Sequence, residues 1–383
     1  MRKVAIVGIG YTVPRRTTPE LSYRELDYEA AVRAYQDAGM KPADVDSFVS
    51  CLEDLCEGTS IADEYTPDQV GAMLKPMCTV GGDGIHGIAD AFMRIQAGIS
   101  DTVLVSSHSK ASNMKTPNDL LNYALDPILN RPLGLNPHYV AGLEMSAFLA
   151  ETKTKEEHCA AVAASNRTAA LRNDLAAHGA TLSTDDVMRS APAFSPLKEL
   201  EISGSSDAAF CVILTTEQRA KRRKSSPPVW VRGVGWSNDT PTLESRPWAY
   251  ARYAADAAAR ALKMAGIKSV RKQVDLFEID DTYAYKQLQH LEAAGVFKAG
   301  EAGRAAAKGK AGPEGDVIVN RSGGALGAGH MQDATGLFRV IEIVRQLRGE
   351  AGRHQAPGKL KTGFALSWRG VPTTSGAAVV VSK

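Results

Sequence analysis

The chain has 383 residues, of which 44% are hydrophobic and 23% charged, and its formal net charge at pH 7 is +2. The length allows two or three domain-sized units. The near-neutral balance lacks the basic stripe of nucleic-acid or membrane-surface binders, and no apolar stretch reaches the roughly 20 residues of a membrane span. Five scattered cysteines suit a reducing compartment. We therefore expect a cytoplasmic protein with no metal site and neither nucleic acid nor membrane as a partner.

Strand and helix signals alternate from the N-terminus onward. The apolar run Val4–Ile9 leads into a glycine turn, which indicates a buried strand. Leu26–Ala38 has helical spacing and is followed by a glycine, and a second strand is predicted at Val45–Val49. Further along, a glycine-rich turn precedes Gly84–Gln96, whose apolar residues recur at helical spacing.

The same order of elements recurs in the second part of the chain. Predicted strands at Val229–Val234 and Val274–Ile279 flank a predicted helix at Ala251–Ala265, and the helix Met331–Leu347 again follows a glycine loop. A repeat of about 225 residues is too long for a solenoid and indicates a duplicated domain. We predict an α/β protein of two similar βαβαβαββ halves, residues 1–224 and 225–383, with an inserted loop domain at about 110–196.

Cys78 precedes the glycine turn that opens the Gly84–Gln96 helix. A helix N-terminus offers unpaired N–H groups and a partial positive charge, both of which favour a thiolate. His330 lies at the equivalent glycine loop of the second half, where a neutral imidazole can donate a hydrogen bond or take a proton. Either residue alone is more commonly structural, but their matching places predict a nucleophile and its partner.

Seven segments in a fixed order give the chain a resemblance to the thiolase superfamily, most of all to the archaeal and sterol-carrier-protein-type thiolases. They are Val4–Gly10, Cys78-Thr79-Val80-Gly81-Gly82, Ala97–Val105, Val319–Gly324, Gly329-His330, Ala334-Thr335-Gly336 and Gln346–Gly352. The resemblance implies a five-layer αβαβα fold, coenzyme A as a cosubstrate with no permanently bound cofactor, and catalytic roles for Cys78 and His330.

Two segments depart from the family pattern. Asp280 stands where thiolases place an oxyanion-binding asparagine or histidine, and Thr282 stands where some keep a second cysteine. The last loop, residues 367–376, lacks the cysteine that other members have there. The acid/base role then falls to Asp280, Asp281, Tyr283 or a bound water, and the sequence does not choose among them.

The resemblance implies an acyltransferase that cleaves or forms a 3-oxoacyl-CoA by Claisen chemistry through an acyl-Cys78 intermediate. The alternatives are a thiolase-fold lyase that cleaves aldol adducts of CoA thioesters, in which tyrosines replace the cysteine and histidine, and a non-catalytic scaffold subunit of an acyl-transfer complex. A dinucleotide-binding dehydrogenase is disfavoured, because Val13 replaces the third glycine of the G-x-G-x-x-G pattern.

The loop at 367–376 also bears on the substrate. Arginine offers a planar fork that fits a carboxylate, so we expect Arg369 to bind an acyl-chain carboxylate, with a surface arginine or an internal salt bridge as the alternative. Trp368 is predicted to add an apolar wall, and Gly324 and Gly376 complete the predicted substrate-binding set. An aromatic or carboxylate-bearing acyl chain is expected. The resemblance further implies a homodimer core that works with a small zinc-ribbon/OB-fold subunit in a heterotetramer.

Overall fold

The computed structural model describes residues 2–53, 61–123, 125–222, 226–240, 242–370 and 373–383, which form thirteen strands and fifteen α-helices. The strands are β1 (Val4–Tyr11), β2 (Ser47–Cys51), β3 (Met77–Val80), β4 (Thr102–Lys110), β5 (Pro192–Phe194), β6 (Leu197–Lys198), β7 (Asp207–Thr216), β8 (Val229–Asn238), β9 (Leu276–Ile279), β10 (Ala311–Gly312), β11 (Val317–Val319), β12 (Thr362–Trp368) and β13 (Ser375–Ser382). The helices are α1 (Tyr23–Ala38), α2 (Ala62–Tyr65), α3 (Pro67–Val70), α4 (Gly84–Gln96), α5 (Pro117–Asn122), α6 (Pro137–Thr152), α7 (Glu156–Ala170), α8 (Thr184–Arg189), α9 (Glu217–Lys221), α10 (Arg252–Met264), α11 (Val270–Gln273), α12 (Ala284–Ala293), α13 (Glu301–Ala307), α14 (Gly324–Ala328) and α15 (Thr335–Arg348).

Eleven of these strands form one sheet, in the order β10-β11-β9-β12-β13-β8-β1-β7-β4-β2-β3. Outward from the centre, the first half runs β1-β7-β4-β2-β3 and the second runs β8-β13-β12-β9-β11, so matching strands occupy matching places. The halves meet where β1 pairs antiparallel with β8, from Val4 opposite Val231 to Ile6 opposite Val229. This topology confirms the predicted α/β fold of two similar halves.

Helices α4 and α15 lie side by side between the two halves, where each packs on strands of both. Helix α1 covers the outer face of the first half, and α10 covers that of the second. The central layer is held by apolar side chains that are fully buried or nearly so, among them Ile85, Ile88, Phe92, Leu337, Val340 and Val344. The layering is the predicted five-layer αβαβα arrangement.

The predicted helices are found, with small changes at their ends. The helix predicted at Gly84–Gln96 has those bounds. Helix α1 starts one turn earlier than predicted, because the Glu25 carboxylate accepts the Ser22 N–H at 2.8 Å and so caps the helix start. The helix predicted from Met331 begins only at Thr335, since Gln332 has a φ of +49°, a conformation outside the right-handed helical region.

The duplication extends to glycines that bring a helix close to each half's first strand. A Cβ at Gly10 would lie 2.0 Å from the Ala30 carbonyl oxygen of α1, and one at Gly235 would lie 2.3 Å from the Ala257 carbonyl oxygen of α10. Both distances are far below van der Waals contact, so each outer helix sits on its strand only because the strand has no side chain there.

The insert lies between β4 and β7 and contains α5 to α8 and the β5–β6 hairpin. Its helix α7 packs against α12, α13 and α14 of the second half, so the insert covers that half. The boundary predicted at residue 224 falls within 223–225, outside the described residues, and stays a prediction. In the part of the chain that the structure describes, no helix is both long and apolar enough to cross a membrane.

We expect Gly10→Ala and Gly235→Ala each to lower the free energy of unfolding by about 1–3 kcal/mol, because the added methyl overpacks the strand–helix contact. Urea unfolding measures the loss. Gly312→Ala is the matched control, since its Cβ would come no closer than 3.4 Å to the Ser165 hydroxyl. Equal stabilities for the wild type and the two overpacked variants would contradict the duplicated close approach.

Candidate active site

A cavity of about 340 Å³ opens where the insert meets the second half. It is lined by Ala111, Met114, Pro117, Leu121, His138, Ile202, Ser203, Ser205, Thr282, Tyr283, His330, Gln332, Arg369 and Gly370. Three of the predicted site residues, Tyr283, His330 and Arg369, therefore lie together.

His330 faces this cavity from the loop before α15. Gly329 has a φ of +101°, and a Cβ there would lie 2.0 Å from the Ser206 hydroxyl, so glycine is required for the histidine to be placed. The Nδ1 atom of His330 lies 3.4 Å from the Thr282 hydroxyl. Burial, opposed in part by the negative charge of Asp280, lowers the pKa of His330 to about 4. The imidazole is neutral at pH 7 and suited to donate a hydrogen bond.

Asp280 is 1% exposed and lies behind the cavity rather than in it. Its Oδ2 is 2.8 Å from Arg339 Nη2, an ion pair without hydrogen-bond angles, and its Oδ1 accepts the Thr282 N–H at 3.0 Å. Burial alone would raise the pKa of Asp280, but Arg339, supported by the amide, holds it below the ordinary value. The carboxylate is thus ionised and paired behind the cavity, and its acid/base role stays a prediction.

Asp281 is fully buried and caps helix α14. Its carboxylate accepts the Ala325 N–H at 2.6 Å and the Asn166 side-chain amide at 2.9 Å. A Cβ at Gly324 would lie 2.1 Å from that carboxylate, and Gly324 has a φ of +61°. The structure therefore places both residues, predicted for catalysis and substrate binding, in the scaffold under the His330 loop.

Tyr283 reaches the cavity as the residue before α12. Its hydroxyl lies 2.9 Å from Nδ1 of His138, which stands in the first turn of α6 in the insert. Burial, with the charges of Glu144 and Asp280, raises the pKa of Tyr283, while burial lowers that of His138. Both groups are neutral near pH 7, so the phenol donates and the imidazole accepts.

Cys78 precedes the glycine turn, as the sequence predicts, but does not lie at the start of α4. It lies on β3, the edge strand, three residues before the turn, and its sulfur accepts a hydrogen bond from Arg94 Nη2 at 2.5 Å. Arg94 belongs to the last turn of α4, whereas the first turn is capped by Asp83, which accepts the Ile85 N–H at 3.0 Å. None of the cysteines within the described residues lines the cavity, and Cys56 lies outside them.

Arg369 lines the cavity and lies close to the glycine turn that follows Cys78. A Cβ at Gly81 would meet Arg369 Nη2 at 3.7 Å. The same nitrogen pairs with Glu53 at 3.0 Å, where the two side chains are 24% and 46% exposed. The Nε atom of Arg369 is buried without a partner. The guanidinium therefore retains a donor beside its salt bridge.

Trp368 and Gly376 pack behind the cavity. Trp368 is 2% exposed and donates its indole N–H to the Thr373 carbonyl at 2.9 Å. The Nζ atom of Lys286 lies over its ring, 4.1 Å from the centroid. A Cβ at Gly376 would lie 2.8 Å from the Tyr253 ring. Neither residue lines the cavity, so their roles in substrate binding stay predictions.

Sequence reasoning missed His138 and Arg339. Asn136-Pro137 is a helix-start signal, and the Asn136 side chain accepts the His138 N–H at 2.8 Å, so a histidine in the first turn of α6 could have been predicted. Arg339 interrupts the apolar stripe of the predicted last helix, which signals a buried charge that needs a partner.

Residues 235–382 match the family described as thiolase C-terminal domain-like. The chain is 29% identical over 369 residues to an acetyl-CoA acetyltransferase of Methanothermobacter thermautotrophicus, and the match covers 94% of each chain. It is 27% identical to human sterol carrier protein 2, covering 94% of this chain and 68% of that one. The resemblance to the thiolase superfamily is confirmed. The predicted enzyme class, an acyltransferase of thiolase type, is borne out by these relatives.

Solved structures share this thiolase fold over the whole chain. An Ltp2–ChsH2(DUF35) aldolase superimposes with a TM-score of 0.84 at 22% identity, covering 99% of this chain and 97% of that one. Human mitochondrial 3-ketoacyl-CoA thiolase in complex with CoA gives 0.77 at 18% identity, covering 100% and 98%. At these identities the likeness concerns the fold alone.

Proposed function

We propose that this protein makes or breaks the bond between the α and β carbons of a CoA thioester. The observation that carries the proposal is the neutral His330 facing the cavity beside Thr282, with Asp280 held away on Arg339. The relatives named acetyl-CoA acetyltransferase and the thiolase neighbour with CoA support coenzyme A as the carrier of the acyl group.

His330 is the proposed donor to the thioester oxygen. If the Thr282 hydroxyl donates to Nδ1, the neutral ring carries its proton on Nε2 and can donate it to oxygen as negative charge develops. Asp280 does not oppose that charge, because its own is balanced by Arg339.

Two reactions fit this arrangement. The first is the predicted Claisen cleavage of a 3-oxoacyl-CoA through an acyl-Cys78 intermediate, in which Cys78 must leave its contact with Arg94 and reach the cavity. The second is retro-aldol cleavage of a 3-hydroxyacyl-CoA into an acyl-CoA and a carbonyl compound, which needs no acyl-enzyme. The relatives named acetyl-CoA acetyltransferase support the first. One observation supports the second: the cavity, as far as the structure describes its lining, contains no cysteine.

We expect Cys78→Ala to keep at least half of the wild-type kcat, because its sulfur lies against Arg94 rather than in the cavity. Acetoacetyl-CoA with CoA, and a 3-hydroxyacyl-CoA without CoA, are the two assays, and intact-mass spectrometry after mixing with acyl-CoA detects any adduct. Cys159→Ala, at a buried cysteine, is the matched control. An adduct on Cys78 together with lost turnover in Cys78→Ala would instead establish the acyl-enzyme route.

We expect His330→Ala to lower kcat by about 10²–10³, the usual loss when one oxyanion donor is removed. The loss should appear in whichever of the two assays the wild type supports. His158→Gln is a suitable control, because His158 lies at the start of α7 and does not line the cavity. A folded His330→Ala protein with nearly wild-type kcat would show that His330 only packs.

Arg369 is the proposed binding group for a carboxylate on the acyl chain, since its buried Nε has no partner. We expect Arg369→Met to lower kcat/KM for 3-oxoadipyl-CoA by about 30- to 1,000-fold, the equivalent of roughly 2–4 kcal/mol, with little change for the uncharged 3-oxohexanoyl-CoA. Glu53→Gln should favour the dicarboxylic substrate, because it removes the competing carboxylate. Equal losses for both substrates would leave Arg369 as a structural residue.

We also propose a homodimer core with a small zinc-ribbon/OB-fold subunit. β3 is an edge strand of the sheet and so has backbone groups available for a second copy. Met73 and Leu74 just before it are 67% and 100% exposed, which supports an interface there. The aldolase neighbour is itself described as an Ltp2–ChsH2(DUF35) assembly, which supports a partner subunit. Light scattering of the chain alone tests the homodimer. Light scattering after co-expression with a small protein encoded beside this chain tests the partner subunit.

A further inference from the structure

The proposed reaction needs a group that moves one proton. In retro-aldol cleavage the proton leaves the β-hydroxyl and ends on the α-carbon, and in thiolysis it leaves the CoA thiol and ends on the same carbon. Asp280 is committed to Arg339, and Asp281 caps a helix from a buried position. Of the acid/base candidates on the 280–283 segment, Tyr283 is the one that lines the cavity.

We infer that Tyr283 and His138 form the acid/base pair of this cavity, with the phenol exchanging the proton with the substrate and the imidazole holding it in the intermediate state. The inference rests on the proposed function and deepens it. It is carried by the 2.9 Å hydrogen bond between the Tyr283 hydroxyl and His138 Nδ1, and by the position of both side chains in the cavity wall.

The surroundings fix this pair in one arrangement. The Tyr283 ring is stacked on Tyr285 at 6.0 Å and lies 6.2 Å from Trp368, so it has little freedom to turn. The backbone of His138 is held from the other side, since its N–H donates to the Asn136 side chain at the start of α6. The phenol stands on the second half and the imidazole on the insert, and the two lie side by side in the lining of the same cavity.

The proton balance closes without an added reagent. In retro-aldol cleavage, the β-hydroxyl gives its proton to the Tyr283 oxygen as Tyr283 passes its own proton to His138 Nδ1. The bond between the α and β carbons breaks, the β-carbon becomes a carbonyl, and the electron pair stays on the α-carbon as the enolate. The proton then returns from His138 through Tyr283 to the α-carbon. In the Claisen route the Cys78 thiol supplies the proton and its thiolate attacks the β-carbonyl. The bond between the α and β carbons then breaks, leaving the acyl group on sulfur and the electron pair on the α-carbon, which takes the proton. The CoA thiol finally displaces the acyl group and returns a proton to Cys78.

The α-carbon step can be measured alone, as exchange of hydrogen for deuterium at the α-carbon of acetyl-CoA, propionyl-CoA and glutaryl-CoA in D₂O. We expect the wild type to catalyse exchange on at least one of them, and His138→Gln and Tyr283→Phe each to slow it by about 10²–10⁴. Glutamine keeps a hydrogen bond to the phenol but takes no proton. The double variant should be no slower than the worse single variant, because the two groups act as one unit.

His158→Gln is the matched control, a histidine-to-glutamine change in the first turn of another insert helix, α7, outside the cavity lining. Thermal melting confirms that each variant is folded, and His138→Gln carries the test if Tyr283→Phe does not fold. Exchange by His138→Gln within about threefold of the wild type, or multiplying losses in the double variant, overturns the pair while leaving the proposed function intact. A wild type that neither exchanges the α-hydrogen nor cleaves either substrate class overturns the proposed function and the pair with it.

Discussion

The guanidinium of Arg339 is the charge around which the centre of this molecule is arranged. It is fully buried in α15, pairs with Asp280 at 2.8 Å and donates to the Ser367 hydroxyl at 2.9 Å. Asp83, at the start of α4, contributes a further negative charge that raises the pKa of Arg339, against the lowering effect of burial. One cation thus interacts with the central helix of the first half and with two strand ends of the second. Removing one member of such a buried pair typically costs about 3–5 kcal/mol, because the other charge is left uncompensated.

This arrangement explains why an aspartate can stand where an oxyanion-binding residue is expected. An unpaired carboxylate beside a forming enolate would raise the barrier, but Asp280 has its charge balanced from behind the cavity. The same carboxylate limits the depression of the His330 pKa, which burial dominates. Burial therefore keeps the imidazole neutral, while the ion pair balances the charge in the core.

The fold was predictable because its signals are local and occur twice. Strand-end glycines, helical spacing and caps are properties of a few adjacent residues. Because each pattern occurs in both halves, a prediction made for one half supports the same prediction for the other. His330 was predictable for the same reason. The contact made by Cys78 was not, because its sulfur, on the strand before the turn, meets Arg94 from the last turn of α4 instead of the amides of its first turn.

The other contacts that the sequence did not predict are those between distant segments. Trp368 and Gly376 lie on the predicted loop, but the direction of a side chain depends on the register of β12 against β13, which pairs these two residues with each other. His138 and Tyr283 are 145 positions apart in the chain, and only the docking of the insert brings them together.

The division of the cavity between the insert and the second half has a consequence for how duplicated folds diverge. The two halves have a similar architecture, but the cavity lining within the described residues comes from the insert, the segment before β7 and the second half. The core strands of the first half contribute no side chain to this described lining, so a substitution in them affects the cavity only through packing or through Cys78. The two halves thus keep a similar architecture while they contribute unequally to the cavity.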